Sequence, residues 1–487
     1  MISALAVLCW PVVVFWLVAN KPPAVAVTWA IVGAYLLLPS NFSIELPAVP
    51  SLNKASIPAL AAVVAAAILL KGPRLRQIGQ DMILSGPMPR SRTVRILMLM
   101  MVVGGAGTVL TNTDAVYFTG GGLPPMRPYD LASMLGNTLF MILPFLLGRK
   151  YLAHPEAQRT LLVGLVVTGL LYSLPALYEV RMSPQLSRMI YGYFPHDWLQ
   201  HVRAGGFRPV VFLSHGLWLA IFFCGAFLAA LSLWRSGSGP SRGRWLAAAV
   251  WMLMTLVLSK GVGALGIGLL LGAIILFAPL RLQVFLAAGL AASVLVYPML
   301  RGSGLAPTDL AVSLAEQVDT ERAGSLLYRL KNEDILLDRA NQRPLFGWGG
   351  WGRNRVFNAE GQDISVTDGY WVMAIGTGGW IGYLATLGLL TIPLIIMALR
   401  WRSLGLTPAT AGLGLALTAN LIDLIPNATL TSVTWLLAGA LAGRLELGRV
   451  SETGAVPAVP LRGKAAYTRQ VRRHTARAGC GLRCKIP

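Results

Sequence analysis

Long apolar runs separated by short polar segments make up most of this 487-residue chain. Runs such as "ISALAVLCWPVVVFWLVA" approach the ~20 apolar residues with which an α-helix crosses a bilayer. Segments of alternating polarity, typical of an outer-membrane barrel, are missing. The pattern predicts an all-α fold, a polytopic transmembrane helical bundle of about 12–13 spans. The predicted helices are 2–19, 24–40, 56–70, 93–110, 131–148, 160–178, 209–234, 245–259, 262–278, 282–299, 372–398, 406–423 and 429–443.

Charge is distributed unevenly between the loops. The net charge is +21, although only 13% of the residues are charged. Nucleic-acid binding is one interpretation of this balance, but basic residues also collect in the cytoplasmic loops of inner-membrane proteins. The second interpretation is favoured, because the basic segments all fall on one side if every predicted helix spans. These segments are 71–92, 148–159, 235–244, 279–283, 400–405 and the C-terminal tail.

The predicted helices and loops divide the chain into four parts. Residues 1–299 carry the earlier helices, 300–371 form one large periplasmic loop, 372–443 carry the last helices, and 444–487 form a basic, disordered cytoplasmic tail. Within the large loop, the stretch "DTERAGSLLYRLKNEDILLDRANQ" has an apolar stripe at helical spacing, and Pro344 follows its end. We therefore expect a helix inside this loop.

A segment rich in glycine, tryptophan and arginine, "NQRPLFGWGGWGRNRVF", follows that helix. The polar motif "SVTDGYW" and the helix start "GTGGWIGYLATLGLL" come next, while "GGFRPVVFLSHGLWLA" and "LSKGVGALGIGLLLG" occur earlier, at the outer ends of helices. In this order the motifs resemble those of the bacterial O-antigen ligase and O-antigen polymerase superfamily. The remaining helices match that superfamily only in number and apolarity.

The resemblance implies an integral membrane glycosyltransferase of the bacterial inner membrane, with its active side in the periplasm. Its donor would be an undecaprenyl-diphosphate-linked glycan and its acceptor another glycan, without a metal ion or other cofactor. Membrane lipids and other polysaccharide-assembly proteins are the remaining expected partners, and no nucleic acid is expected. Such chemistry needs cations fixed beside the diphosphate, and arginine suits phosphate because its planar fork makes bidentate contacts.

Arg208, Arg203 and Lys260 are candidate cations near the outer ends of helices. Arg208 is the first candidate ligand of the diphosphate, and an interfacial arginine that only snorkels is the alternative. Arg203 is a second candidate. Lys260 is a candidate catalytic residue, because a lysine in a periplasmic turn runs against the positive-inside trend. Members of the superfamily more often have arginine there, so a plain turn lysine remains open.

The large loop contributes further candidates for substrate binding. Arg322 and Arg329 lie two helical turns apart and share a face, although pairing with Glu321, Glu333 or Asp338 would also explain them. Gly347 and Gly349 permit a positive φ and a close approach of the backbone to a ligand. Trp348 suits stacking on a sugar, or anchoring in the headgroup region together with Trp351. The less specific arginines are Arg343, Arg353 and Arg355.

Asp368 stands where ligases of the superfamily usually carry histidine and where its polymerases often carry aspartate. A carboxylate there would orient the acceptor hydroxyl or take its proton. The alternative is an N-cap, since aspartate is a favoured residue before a helix. His196 and His201 are the histidines of the preceding periplasmic loop, but nothing in their spacing connects them to Asp368.

Three classes of function remain open at this level. A polymerase of lipid-linked repeat units is favoured, and a ligase that transfers glycan to lipid A core or to protein is the nearest alternative. A polysaccharide transporter or flippase is less favoured, because transporters place ionisable residues near the bilayer midplane and the predicted spans contain few. A purely structural assembly partner would leave the loop arginines without a shared target.

Overall fold

The computed structural model describes residues 2–46, 49–71, 82–195, 197–203, 205–318 and 320–449. Helix accounts for 71% of the structure and strand for 4%, which makes the fold all-α. The longer helices are α1 (Ile2–Asn20), α2 (Pro23–Leu37), α3 (Ser56–Leu69), α4 (Arg92–Thr111), α5 (Pro128–Tyr151), α6 (Pro155–Met182), α8 (Gly216–Ser236), α9 (Ser241–Leu258), α10 (Val262–Phe277), α11 (Leu280–Gly302), α12 (Thr308–Val318), α13 (Thr320–Asn341), α14 (Tyr370–Leu399), α16 (Pro408–Asp423) and α17 (Ser432–Leu447). The short ones are α7 (Leu186–Tyr191) and α15 (Trp401–Leu404).

Three small antiparallel hairpins lie in the loops of the part of the chain that the structure describes. They pair β1 (Ser43–Leu46) with β2 (Val49–Asn53), β3 (Val116–Phe118) with β4 (Gly121–Leu123), and β5 (Val202–Arg203) with β6 (Gly206–Phe207). Sequence patterning did not predict them, and it also missed α7 and α12. The strands and α7 carry too few residues for a clear periodicity, whereas the 11 residues of α12 do carry an amphipathic pattern.

Every predicted helix has a counterpart in the structure. Proline begins α5, α6 and α16, where its missing N–H costs no hydrogen bond. The largest error is at α8, which starts at Gly216 and not at residue 209. The cause is a tertiary contact: the buried carboxylate of Glu179 accepts hydrogen bonds from the backbone N–H groups of Val210 and Val211, at 2.8 and 2.7 Å, and holds this segment outside the helix.

Within the described residues, seven helices are long and apolar enough to cross a membrane: α1, α4, α5, α6, α8, α11 and α14. Shorter apolar helices are α2, α3 and α10. The most enclosed candidate span is α8, which packs against α6, α9, α10 and α16. Around this centre, α17 packs on α5, and α14 packs on α4 and α11.

Contacts between distant loops define two ends of the bundle. At the first, which we call the loop-rich end, Lys54 Nζ donates to the carbonyl oxygens of Leu38 and Phe212. At the second, the basic end, Arg149 pairs with Glu446 at 2.5 Å. These contacts join loops and helix ends that the alternation of helices assigns to the same side of a membrane.

The large loop packs as part of the bundle. All described residues belong to one compact unit, Met1–Arg449, in which α13 lies against α14. The predicted helix in "DTERAGSLLYRLKNEDILLDRANQ" is confirmed as α13. At the other boundary, α17 continues to Leu447, four residues beyond the predicted helix end at 443, and the rest of the predicted tail from residue 450 lies outside the described residues.

Candidate functional site

Residues 344–349 of the glycine-rich segment fill a break in α14. Gly379 has φ 64° and ψ −171° inside this helix, so the normal hydrogen-bond ladder is interrupted there. The N–H groups of Trp348 and Gly349 donate to the carbonyl oxygens of Gly376 and Thr377, at 2.8 and 2.9 Å. In return, the N–H groups of Trp380 and Ile381 donate to the carbonyls of residues 344 and 345. The segment thus satisfies the polar groups that the break exposes, as an interrupted helix in a membrane protein requires.

Two of the glycines are needed for this close approach. Gly347 and Gly349 have φ of 68° and 80°, which disfavour any other residue. A Cβ at Gly347 would lie 2.5 Å from the backbone nitrogen of Gly379. The predicted positive φ values are therefore confirmed, and the surface that Gly347 approaches closely is the backbone of α14.

Trp348 lies inside this arrangement, only 7% exposed. Its indole N–H donates to the carbonyl of Arg339 at 2.7 Å, and the guanidinium groups of Arg339 and Arg343 lie 3.3 and 4.2 Å from its ring centroid. The ring thus makes cation–π contacts with two arginines. In this structure Trp348 positions cations, whereas Trp351 is exposed.

Asp114, at the start of the loop after α4, binds Arg343 and a further arginine, Arg353. Arg343 Nη2 donates to Asp114 Oδ2 at 2.6 Å, and Arg353 Nη2 donates to the Asp114 carbonyl at 2.9 Å. The hydrogen bond from Arg343 is the main cause that lowers the pKa of the Asp114 carboxyl below its usual value. Arg353 is only 2% exposed, and burial lowers the pKa of its guanidinium. Arg343 and Arg353 are among the less specific sequence candidates, and Asp114 is not among the candidates at all, because these partners are far apart in the chain.

Arg329 and Asp368 form an ion pair, with 3.3 Å between Nε and Oδ2. Both side chains remain about one third exposed, at 35% and 37%, so the pair is accessible. The N-cap of α14 is Gly369, and it makes no side-chain capping bond. The N-cap interpretation of Asp368 is therefore wrong: the backbone places Asp368 one residue too early, and its carboxylate faces α13. Among the described residues, Arg329 pairs with Asp368 and not with Glu333 or Asp338, while the side chain of Glu321 lies outside them.

Glu333 lies beside this pair, one helical turn after Arg329, and is only 6% exposed. Its Oε1 accepts the indole N–H of Trp371 at 3.2 Å, while Oε2 is buried without a hydrogen-bond partner among the described residues. Burial is the main cause that raises the pKa of Glu333 to about 7, and the charge of Asp368 acts in the same direction. A carboxyl with a pKa near neutrality is suited to proton transfer. The sequence signal was a glutamate on the apolar stripe of α13.

Arg208 and Lys260 form a second group at the loop-rich end. Arg208 Nη2 donates to the Lys260 carbonyl at 3.2 Å, and Lys260 Nζ lies 2.6 Å from the position that a Cβ would take at Gly206 in β6. Lys260 has φ 57°, and partial burial lowers the pKa of its ammonium group. The hairpin β5–β6 thus brings together two candidate cations that are 52 residues apart.

The remaining candidates are Arg203, Arg322, His196 and His201. Arg203 lies in β5, paired in register with Gly206, and Arg322 lies in the first turns of α13; the described features of both are limited to the backbone. His196 lies outside the described residues. His201 is buried, and its ring packs against Phe194 and His215.

A cavity of about 350 Å³, here called the apolar cavity, starts beside α14 at the loop-rich end. It follows α5 from Asn137 to Pro144, a rise of about 10 Å. Tyr370, two residues after Asp368, lies in its wall. The polar lining includes Ser51, Asn53, Ser56, Thr431 and Ser432, and the apolar lining includes Phe140, Met141, Met373, Leu430 and Trp435.

Comparison with known proteins gives no match, either to a family model or to a curated protein. The interpretation of the site therefore depends on its geometry and on the motifs of the chain.

Proposed function

We propose that this protein is an integral membrane glycosyltransferase of the bacterial inner membrane that polymerises undecaprenyl-diphosphate-linked repeat units on the periplasmic side, without a metal ion. The loop-rich end would face the periplasm and the basic end the cytoplasm, in line with the positive-inside rule. All of the predicted helices outside the large loop would then span, which gives about 12–13 spans.

The observation that carries the proposal is the accessible Arg329–Asp368 pair, whose Asp368 precedes Tyr370, a wall residue of the apolar cavity, by two positions in the chain. A lipid-linked donor has an apolar chain and a diphosphate at the membrane surface, so its site needs both environments next to each other. The cavity offers an apolar wall that includes Tyr370. Asp368 precedes this residue by two positions in the chain. The pair supplies one cation and one carboxylate, both accessible.

The chemistry assigns different roles to these groups. The acceptor hydroxyl oxygen bonds to the anomeric carbon of the donor sugar, the bond from that carbon to the diphosphate oxygen breaks, and the electron pair leaves with the diphosphate. Arg329, Arg208 and Lys260 would stabilise the charge of the leaving group. Asp368 would accept the proton of the acceptor hydroxyl.

A ligase that transfers glycan to lipid A core or to protein would use the same donor chemistry and is the nearest alternative. The two activities differ in the acceptor only, so an assay that offers lipid-linked repeat units alone distinguishes them: a polymerase elongates, and a ligase leaves the donor unchanged. A flippase would move the donor across a vesicle membrane without forming a glycosidic bond.

The test uses purified full-length protein in proteoliposomes with its lipid-linked repeat unit and a metal chelator. We expect polymer from the wild type and a loss of roughly 100-fold or more in Asp368→Asn, the usual scale for general-base catalysis. Arg208→Ala should lose about 10- to 100-fold, because charge-assisted hydrogen bonds contribute about 1.5–3 kcal/mol.

Asp309→Asn serves as the control, since it removes an exposed carboxylate from α12 of the same loop. Its rate should equal that of the wild type. Near wild-type polymer formation by Asp368→Asn would remove Asp368 from the mechanism. Failure of the wild type to elongate a lipid-linked repeat unit would contradict the polymerase assignment itself.

A further inference from the structure

A second cavity, of about 450 Å³, lies at the loop-rich end between the large loop and the loop after α4. We call it the hairpin cavity, because the hairpin β3–β4, the helix α13 and residues 355–358 enclose it. Its lining is Val116, Tyr117, Phe118, Thr119, Ile335, Asp338, Arg339, Gln342, Arg355, Val356, Phe357 and Asn358. None of these residues contributes to the Arg329–Asp368 pair or to the apolar cavity.

The hairpin that forms one wall is held in place. Phe118 stacks on Phe357, with the ring centroids 4.1 Å apart and an angle of 10° between the planes. The turn of the hairpin also contacts the loop, since the Thr119 carbonyl fills the space where a side chain at residue 361 would begin. The cavity is therefore formed in advance and does not require a ligand to order its wall.

The lining combines an exposed aromatic ring with planar polar groups. Tyr117 projects from the opposite face of the strand to Phe118 and is 84% exposed. Asp338 lies in the last turn of α13 and Gln342 directly follows the end of this helix, and Arg339 Nε, beside them, is buried without a hydrogen-bond partner among the described residues. An aromatic face with adjacent amide, carboxylate and guanidinium groups matches an oligosaccharide, which presents both C–H faces and hydroxyl groups.

The distance along α13 connects this cavity to the proposed reaction site. Asp338 follows Arg329 by nine residues, which corresponds to about 13 Å along the helix axis and to half a turn around it, so the two side chains lie on opposite faces of α13. An oligosaccharide of several sugars is long enough to pass around the helix and reach both. A glycan whose terminal hydroxyl lies at the Arg329–Asp368 pair would thus extend its following sugars towards Tyr117.

We propose that the hairpin cavity binds the sugars of the acceptor glycan behind the reacting one, with Tyr117 as stacking platform and Asp338 and Gln342 as hydrogen-bonding groups. This inference rests on the proposed function, because the reaction site defines which end of the glycan is bound. It assigns the acceptor a site separate from that of the lipid-linked donor.

The experiment measures binding without catalysis. The probe is the lipid-free oligosaccharide released by mild acid from the lipid-linked repeat unit, added to purified full-length protein and followed by isothermal titration calorimetry. Tyr117→Ala and Gln342→Ala should each raise the Kd at least tenfold, and the modal polymer length should fall in the elongation assay. Tyr117→Trp, which keeps an aromatic face, should retain both properties.

Tyr328→Ala is the matched control, since Tyr328 is an exposed tyrosine of α13 that does not line the cavity. An unchanged Kd and polymer length in Tyr117→Ala and Gln342→Ala would overturn the inference. If the wild type binds the oligosaccharide and the variants do not, but no polymer forms, the cavity assignment stands and the proposed function fails. If polymer forms and the variants behave as wild type, only the cavity assignment fails.

Discussion

Asp368 and Glu333 are neighbouring carboxyl groups in different environments. Asp368 is paired with Arg329, and its side chain remains exposed enough to contact a ligand. Glu333 is buried behind it, bonded to the Trp371 indole, and its pKa is raised to about 7 by burial. Two titratable groups with contrasting surroundings are a common arrangement in sites of acid–base chemistry.

The raised pKa of Glu333 makes stability depend on pH. The folded protein keeps the proton on Glu333 up to about pH 7, whereas the unfolded chain releases it near the ordinary value of 4.5. The neutral carboxyl therefore favours the folded state at low pH, and this contribution is lost as the pH rises through about 7. The shift corresponds to about 3 kcal/mol at most.

We therefore expect the thermal unfolding midpoint of the wild type to fall between pH 5 and pH 8 by more than that of Glu333→Gln, in which the side chain is always neutral. The measurement is thermal unfolding in detergent, and the comparison between the two proteins cancels the titration of other groups. Parallel curves would show that Glu333 is ionised in the folded protein throughout this range.

At the scale of elements, the glycine-rich segment and the broken helix α14 form one structural unit. The segment also bonds to α4, where Thr108 Oγ1 donates to the Phe346 carbonyl at 2.6 Å and Asn112 Nδ2 donates to the Gly347 carbonyl at 2.9 Å. It thus connects α4 with α14 and carries Trp348, which orients Arg339 and Arg343. The glycines thus position Arg339, which lines the hairpin cavity, and Arg343, which pairs with Asp114.

A single glycine substitution tests this unit. Gly347→Ala should lower the free energy of unfolding by at least about 2 kcal/mol, because alanine is strained at positive φ and its Cβ would collide with the backbone at Gly379. Gly350→Ala is the matched control, since no atom lies within 4 Å of its Cβ position and its φ is not positive. Thermal unfolding in detergent measures both, and an equal effect of the two changes would contradict the docking of the segment on α14.

At the scale of the whole molecule, charge and contacts divide the bundle between two ends. At the basic end, Arg444 Nη2 donates to the carbonyls of Leu404 and Gly405, at 2.6 and 3.0 Å, so two predicted cytoplasmic segments meet there. At the loop-rich end lie the Arg208–Lys260 group, the Arg329–Asp368 pair, the apolar cavity and the hairpin cavity. A donor made in the cytoplasm and used outside would meet the site only after crossing the membrane.

Labelling of introduced cysteines with a membrane-impermeant maleimide tests this orientation in a variant without the native cysteines. Glu360→Cys, at an exposed position of the loop-rich end, should be modified from the periplasmic side, whereas Ser238→Cys, between α8 and α9, should not. Residue 360 is preferable to Gly361, where a side chain would collide with the Thr119 carbonyl. Modification of Ser238→Cys alone would reverse the orientation and contradict the proposed function.

The sequence by itself determined the all-α class, the positions of the long helices and the helix inside the large loop. Apolar length and periodicity are local properties of the chain, and the environment they reflect does not depend on which helix is the neighbour. The sequence also indicated the positive φ of Gly347, because few other residues adopt it.

Only the tertiary structure decided which side chains meet. Arg343 and Asp114 are 229 residues apart, and Glu179 fixes the start of α8 from a different helix. It also showed that Asp368 pairs with Arg329 and does not cap α14, and that hairpin β3–β4 encloses a cavity with α13. Such contacts depend on how the helices pack, which no local spacing of residues records.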